Sequence, residues 1–197
     1  MSVHKYKMTM HYPIQMKPKV DTSVEGYVIE YDHLITVEMA DDIIQFALND
    51  DSFHRRGSKS SMVKASFTTC LLYDLNHPVY EILDMAWKKC ATDHGYDLSF
   101  VEYYEIKGYE VGDSFGDHVD THGAPNMLEE RKLNLTIQLS DPNSYEGGDL
   151  YIKDHRATRN IGSGIFFPPY VLHKVSEVTS GTRYCLIGHA WGRLNCK

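Results

Sequence analysis

The chain has little cysteine, little proline and no excess of basic residues. Its 197 residues include 4 cysteines and 7 prolines, and 20 lysine plus arginine residues stand against 27 aspartate plus glutamate residues, a net charge of -7. The cysteines are widely spaced and form no Cys-x-x-Cys pair; they are Cys70, Cys90, Cys185 and Cys196. Neither a zinc site nor a dithiol redox motif is therefore expected, and a reducing, cytoplasmic location is predicted.

Long apolar runs and basic clusters are also missing. Residues 1–20 are interrupted by lysines, histidines and prolines, and no later segment approaches the roughly 20 apolar residues of a transmembrane helix. The basic residues form no stripe that could neutralise a row of phosphates. The sequence therefore predicts no membrane association and no nucleic-acid partner, and it leaves the oligomeric state open.

Two amphipathic helices are predicted in the first half of the chain. Thr36 can cap a helix that ends near residue 49, while Pro78 and Gly95 fit the first turn and the end of a helix over residues 77–94. Apolar residues recur on one face of each helix. They are Met39, Ile43, Phe46 and Ala47 in the first helix, and Val79, Ile82, Leu83, Ala86 and Cys90 in the second.

The second half of the chain has a different pattern, in which short β-branched and aromatic segments alternate with turn residues. It predicts about seven strands. These cover residues 99–106, 115–120, 132–139, 150–153, 164–167, 172–175 and 184–191, and upstream of them a polar loop over 51–64 and an extended segment over 65–73 are expected. The predicted fold is mainly β with flanking helices (α+β), a double-stranded β-helix (jelly-roll, cupin-like) core with both helices packed on one sheet.

One short pattern indicates metal chemistry. If residues 115–120 are extended, His118 and Asp120 lie on one face of the strand and can reach one metal ion. His173, brought in by a second strand, would complete a set of two histidines and one carboxylate, which binds Fe(II) and leaves coordination positions open. Arg183 would add a guanidinium that fits a carboxylate. The chain has 11 histidines, so a short pattern of this kind can arise by chance. The surrounding motifs must therefore decide whether these residues form a metal site.

Further motifs follow one another around this set. They are Tyr109-x-x-Gly112-x-x-Phe115-x-x-His118-x-Asp120, the segment 131–140, Tyr145-Glu146-Gly147-Gly148-Asp149-Leu150, Phe166-Phe167-Pro168, Leu172-His173-Lys174-Val175 and Gly181-Thr182-Arg183-Tyr184. In this order they resemble the prolyl 4-hydroxylase-like branch of the iron(II)- and 2-oxoglutarate-dependent dioxygenases. The resemblance covers residues 97–192, about half of the chain.

The resemblance implies a cofactor set and roles for individual residues. His118, Asp120 and His173 would hold Fe(II), Arg183 would pair with the distal carboxylate of 2-oxoglutarate, and Tyr109 would line the same pocket. Some relatives carry a tyrosine at the position of Gln138, and Gln138 is therefore predicted to contact that carboxylate. O2 and 2-oxoglutarate would be cosubstrates and ascorbate a further cofactor. The expected reaction hydroxylates a C–H bond and converts 2-oxoglutarate to succinate and CO2.

The chain departs from the family pattern beyond Arg183. Many relatives place a tryptophan six residues after the basic residue, but here that position is His189, and Trp191 follows two residues later. If the last strand is regular, alternate residues from 183 to 191 face the inside of the barrel. His189 and Trp191 are therefore predicted to contact substrate; His189 could equally satisfy a buried hydrogen bond.

The expected organisation is a single domain over residues 1–197, with an extended arm and supporting helices in 1–96 and the catalytic core in 97–192. Residues 1–24 could form an outer strand or a dimer arm, and the segments 51–64 and 121–131 could close over a substrate. The resemblance favours a prolyl residue in a peptide or protein as the substrate. The alternatives are a free amino acid, a small metabolite or a nucleobase, and a cupin-like metal-binding protein without turnover.

Overall fold

The computed structural model describes residues 19–21, 28–58, 65–73, 76–121 and 129–193, with 19–21 and 55–58 described in their backbone only. Two helices and fifteen strands make up the regular structure of these residues. In chain order they are β1 (Lys19–Asp21), β2 (Val28–Tyr31), α1 (Val37–Leu48), β3 (His54–Ser58), β4 (Ala65–Leu72), α2 (Val79–His94), β5 (Phe100–Val101), β6 (Tyr104–Tyr109), β7 (Ser114–His118), β8 (Glu129–Gln138), β9 (Tyr145–Gly147), β10 (Leu150–Ile152), β11 (His155–Arg156), β12 (Gly164–Phe167), β13 (His173–Val175), β14 (Val178–Gly181) and β15 (Arg183–Arg193).

Both predicted helices are confirmed, and so are the predicted start of the first at Thr36 and the predicted end of the second at Gly95. The Thr36 hydroxyl accepts a hydrogen bond from the Met39 N–H at 3.2 Å, which satisfies one of the free donors at the start of α1. Gly95 ends α2 in the left-handed region, at φ 72°, where a residue without Cβ is not strained. Pro78 lies one position before α2 and not in its first turn. Neither helix in the described part is long and apolar enough to cross a membrane.

The strands form one strongly curved antiparallel sheet of thirteen strands and a separate pair, β9 with β14. Strand β8 lies centrally, between β12 and β15. Its side chains alternate: Leu133, Leu135 and Ile137 enter the core beneath the helices, while Thr136 lines the inside of the curved sheet. The helix-side core also holds Trp87, whose indole N–H donates to the Tyr104 hydroxyl at 2.8 Å.

A second apolar cluster fills the inside of the curved sheet. It is contributed by strands from both halves of the chain and includes Tyr109, Leu150, Ile152, Phe167 and Val175. Burial of side chains of this size stabilises the fold by about 1.5–3 kcal/mol each. One end of this interior stays open and polar, and the predicted site residues gather there.

Several strands differ from the prediction. The predicted strand 99–106 is divided into β5 and β6, the expected polar loop 51–64 contains β3, which pairs with β4, and β7 ends at His118, two residues before Asp120. Strands β2, β9, β11 and β14 were not predicted, whereas β1 lies in the N-terminal arm, for which an outer strand was one alternative. All five are short. Strands β2, β9 and β14 pair with strands far along the chain, while β11 pairs with the neighbouring β10, and β1 pairs with β2 at the end of the sheet. The rest of that arm lies outside the described residues.

Candidate metal centre and cosubstrate site

Two histidines meet because neighbouring strands place them opposite each other. His118, at the end of β7, and His173, at the start of β13, are direct partners in the antiparallel ladder. Their ring centroids lie 4.1 Å apart, and the ring of Phe115 stacks on His118 at 3.7 Å. The pairing explains how residues far apart in sequence form one cluster.

Hydrogen bonds fix the tautomer of both imidazoles. His118 Nδ1 lies 2.8 Å from the carbonyl oxygen of Gly116, and His173 Nδ1 lies 2.9 Å from that of Val171. A carbonyl only accepts, so the proton resides on Nδ1 and the lone pair on Nε2. The two Nε2 atoms lie 3.6 Å and 3.2 Å from the Asp120 carboxylate oxygens. The ligand atoms of the three residues all lie within 4.8 Å of one another.

Asp120 reaches this cluster from the coil that follows β7. Its backbone N–H donates to the Pro169 carbonyl at 2.8 Å, and its Oδ2 accepts from Asn134 Nδ2 at 2.9 Å. The prediction assumed that regular strand alternation places Asp120 beside His118. Asp120 is instead positioned by its contacts with β8 and with the connection between β12 and β13. Burial raises the pKa of Asp120, but the interaction of its carboxylate with His173, followed by those with His189 and His118, outweighs it, so the pKa lies well below its ordinary value.

The charge states suit a divalent metal. The pKa of His118 is lowered by burial and then by its neighbour His173, so the imidazole is neutral at pH 7. Neutral imidazoles and an ionised carboxylate are the forms that bind a metal ion. Two histidine nitrogens and one carboxylate, gathered in one place, match the donor set of non-heme iron oxygenases, and the residues present therefore fit Fe(II).

Arg183 lies beside this cluster as a buried cation. Only 3% of its surface is exposed, its Nε donates to Gln138 Oε1 at 3.1 Å, and its guanidinium carbon is 5.8 Å from the ring centroid of Tyr109. No carboxylate in the described part of the chain forms an ion pair with it. An unpaired buried charge costs several kcal/mol, so the position favours an anionic ligand.

Gln138 supports Arg183 from behind. Its amide nitrogen donates to the Ser140 carbonyl and to the Tyr145 hydroxyl, both at 3.0 Å. Arg183 and Tyr109 line the cavity, whereas Gln138 is not among its lining residues. Gln138 thus contacts the guanidinium, and its contact with the cosubstrate stays a prediction. Tyr145 was not predicted, although it opens the Gly-Gly motif.

The cavity contains polar residues that the sequence did not single out. Lys107 lines it, with its ammonium 3.3 Å from Glu105 Oε2 and 4.5 Å from the ring centroid of Phe67. Asn134 and Thr136 line it from β8. Nothing in the local sequence distinguishes these positions from other polar strand residues, since only the pairing of β6, β8 and β15 brings them to one place.

His189 and Trp191 have different environments. His189 lines the cavity, and its Nδ1 lies 2.8 Å from Asn134 Oδ1. Burial, followed by the charge of Arg131, lowers its pKa to about 4. Trp191 does not line the cavity, which corrects the expected shared face: the register shifts between Ala190 and Trp191, and the indole stacks on Phe100.

The Trp191 side chain instead belongs to a polar cluster outside the cavity. Its indole N–H donates to Glu102, which also accepts two hydrogen bonds from Arg131, at 3.0 Å and 2.7 Å. Arg131 in turn lies 3.4 Å from the Asp120 carbonyl oxygen. Of the segments predicted to close over a substrate, residues 59–64 and 122–128 lie outside the described residues.

Most residues of this site lie in a segment that is similar to a known family. Residues 103–191 match the family model of the 2OG-Fe(II) oxygenase superfamily. This match agrees with the superfamily that the motifs from Tyr109 to Arg183 resemble. A PKHD-type hydroxylase of Psychrobacter sp. (strain PRwf-1) is 37% identical over 90 residues, which cover 42% of this chain and 35% of that protein. The chain thus spans about a third of the length of the curated relatives it matches.

Solved structures support the same fold. The viral collagen prolyl hydroxylase vCPH from Paramecium Bursaria Chlorella virus-1, in its 2OG complex, has a TM-score of 0.68 at 14% identity, covering 84% of this chain and 96% of that chain. A prolyl hydroxylase in complex with a hypoxia inducible factor oxygen degradation domain peptide fragment from Trichoplax adhaerens has a TM-score of 0.66 at 13% identity. The match covers 87% of this chain and 86% of that chain. The predicted double-stranded β-helix core is confirmed.

Proposed function

We propose that the protein is an Fe(II)- and 2-oxoglutarate-dependent dioxygenase that hydroxylates a C–H bond, and that its substrate is a prolyl residue in a peptide or protein. One observation carries the proposal. The two Nε2 atoms and the carboxylate of the metal cluster share a cavity with a buried guanidinium that has no acidic partner among the described residues. A structural metal site requires neither an open face nor a carboxylate-binding cation.

Each residue has a defined task in this proposal. His118, Asp120 and His173 would hold the iron, and their hydrogen bonds to Gly116, Asn134 and Val171 keep them oriented before it binds. Arg183 would bind the distal carboxylate of 2-oxoglutarate, with Tyr109 beside it. When bound, Fe(II) and 2-oxoglutarate supply an O2-dependent oxidation of a C–H bond, with succinate and CO2 as coproducts. Ascorbate would keep the iron in its Fe(II) form.

The relatives support hydroxylation, and the neighbours support a peptide substrate. The matched relatives carry the name PKHD-type hydroxylase, and one structural neighbour holds a peptide fragment. These are properties of those proteins. Here they favour a prolyl substrate over a free amino acid, a small metabolite or a nucleobase. A nucleobase is further disfavoured because His189 stands where nucleic-acid demethylases of this superfamily have a second arginine.

Succinate formation tests the reaction. Purified protein supplied with Fe(II), ascorbate and 2-oxoglutarate should form succinate, and an accepted substrate should stimulate it. His118→Ala and Asp120→Ala should reduce the signal to background because each removes a ligand. Asp117→Ala is the matched control, since this exposed carboxylate lies one residue before His118. Full activity in both ligand variants would contradict the metal assignment.

Mass spectrometry tests the substrate. A panel of proline-containing peptides is incubated with the same components and examined for an added oxygen on the prolyl residue. An added oxygen on a peptide supports the proposal if its addition requires 2-oxoglutarate. If every peptide stays unmodified while a free amino acid in a parallel panel gains oxygen, the reaction class stands and the prolyl substrate is rejected.

A further inference from the structure

Asn134 connects the metal cluster to a residue on the other side of the cavity. Its Nδ2 lies 2.9 Å from Asp120 Oδ2, and its Oδ1 lies 2.8 Å from His189 Nδ1. An ionised carboxylate only accepts hydrogen bonds, so the amide must present its NH2 group to Asp120 and its oxygen to His189. That oxygen can only accept, so His189 Nδ1 must carry the proton. The other ring nitrogen, Nε2, is left with its lone pair.

The backbone holds this arrangement in place. Asn134 on β8 and His189 on β15 are direct partners in the antiparallel ladder, so their side chains meet by register and not through a mobile loop. Both residues line the cavity that contains the metal cluster. Within the described part of the chain, Nε2 of His189 has no hydrogen-bond partner. It is therefore a fixed acceptor in the wall of the reaction cavity.

The charges around His189 decide which donor it suits. Lys107 lines the same cavity, and Arg131 lies close enough for its charge to disfavour a proton on the His189 ring. On the acidic side stand Asp120 and Glu102, of which Glu102 is already paired with Arg131. Lys107 is likewise paired with Glu105, and Asp120 is the proposed metal ligand, so none of these carboxylates is left to compensate a cationic ammonium donor; a neutral N–H group needs no such partner.

We propose that His189 is a specificity-determining residue: its Nε2 accepts a hydrogen bond from a neutral amide N–H of the substrate, next to the residue that is oxidised. Asn134 is the positioning residue that fixes the ring in the required tautomer. A prolyl residue within a peptide has no N–H of its own, so the donor is a neighbouring backbone amide. The proposal rests on the proposed oxygenase function and specifies how its substrate is recognised.

Substrate discrimination tests the acceptor. A peptide that gains oxygen is compared with versions in which each backbone amide is N-methylated in turn. We expect one N-methylation to lower kcat/KM about tenfold, since an unmade hydrogen bond leaves the acceptor unsatisfied. His189→Leu should remove this difference, and His189→Gln, which keeps an acceptor oxygen, should restore part of it. Equal kcat/KM for all versions with the unaltered protein would overturn the proposal.

Binding measurements separate this role from a structural one. His189→Leu should leave the affinities for Fe(II) and 2-oxoglutarate unchanged, as read anaerobically from the visible absorption of the ternary complex. Asn134→Leu should weaken Fe(II) binding as well, about 10–100-fold, because it removes the support of Asp120. A parallel loss of metal binding in both variants would reject the specificity role.

The tautomer is a test that needs no turnover. In the Zn(II)-loaded, 15N-histidine-labelled protein, the His189 signal, assigned by its absence in His189→Gln, should show the proton on Nδ1. A proton on Nε2 would overturn the inference whatever the reaction. If the tautomer is as expected but no peptide is oxidised, the proposed prolyl function fails; oxidation of a free amine substrate instead would reject the neutral amide donor.

Discussion

At the scale of single residues, Arg183 has the environment that is hardest to explain without a ligand. It is held by Gln138 and lies near Tyr109, yet it has no acidic partner among the described residues. We expect Arg183→Leu to raise the Kd for 2-oxoglutarate by about 10–100-fold, because the charge-assisted pair is lost, and to leave the Kd for Fe(II) nearly unchanged. Anaerobic titration of the Fe(II)-loaded protein measures both constants.

A conservative variant sharpens this prediction. Arg183→Lys keeps the charge but loses the planar guanidinium and its hydrogen bond to Gln138. Its affinity for 2-oxoglutarate should therefore lie between that of the unaltered protein and that of Arg183→Leu. An unchanged Kd for 2-oxoglutarate in Arg183→Leu would remove Arg183 from the cosubstrate site.

His189 predicts how stability depends on pH. Its pKa in the folded protein is lowered from 6.5 to about 4, so between these values the unfolded chain binds a proton that the folded protein does not. The stabilisation is therefore complete above pH 6.5 and is lost as the pH falls toward 4, by on the order of 3 kcal/mol. Urea unfolding at pH 7, 5.5 and 4 should show a smaller pH dependence for His189→Gln than for the unaltered protein. If the free energies of unfolding of the two proteins change equally with pH, the lowered pKa of His189 is contradicted.

The site residues differ in how well the sequence identifies them. His118, Asp120, His173 and Arg183 stand in motifs, and the structure brings all four to one cavity. Lys107 stands in no motif and Asn134 only within the segment 131–140, where nothing distinguishes it, because their roles depend on which strands pair with β8 and β6. Gln138 stood at a motif position, but the hydrogen bond that its amide oxygen accepts from Arg183 depends on packing, which residue spacing does not record.

At the scale of elements, the sequence predicts helices, whose signals lie in their own residues, better than strands whose conformation depends on pairing. Each helix is specified within a few residues by its cap and its apolar period, and both were predicted. All four side chains of β2 are buried, so it shows no alternation, and β3 is polar throughout and is extended only because β4 pairs with it. Such strands depend on their pairing partners, β12 far along the chain for β2 and the neighbouring β4 for β3, and the period of their own residues cannot reveal this pairing.

The cap of α1 provides a prediction for one element. Thr36→Ala removes the acceptor for the Met39 N–H, and we expect the free energy of unfolding to fall by about 1 kcal/mol. Thr36→Ser keeps the hydroxyl and should differ little from the unaltered protein. Urea unfolding, with an unchanged dependence on denaturant, measures the difference. If the alanine and serine variants are equally stable, the hydroxyl contributes nothing as a cap.

At the scale of the whole molecule, one strand links the core to the site. The leucine and isoleucine side chains of β8 pack beneath the helices, while Asn134 and Thr136 face the cavity from the same strand. Strands β15 and β6 repeat this division, with Leu186 and Ile106 in the helix-side core and Arg183 and Lys107 at the cavity. Rigid packing on one face thus fixes the positions of polar groups on the other, as a preorganised site requires.

This coupling predicts that ligands stabilise the whole fold in two steps. A ligand that binds only the folded protein adds RT ln(1 + [L]/Kd), about 2.7 kcal/mol at a hundredfold excess over Kd. Anaerobic thermal unfolding should show a rise in Tm with Fe(II) and a further rise with 2-oxoglutarate. His118→Ala should lose both increments, Arg183→Leu only the second, and the control Asp117→Ala neither. A 2-oxoglutarate increment that persists in both His118→Ala and Arg183→Leu would mean that the cosubstrate binds elsewhere, because metal and guanidinium are the two anchors this cavity offers.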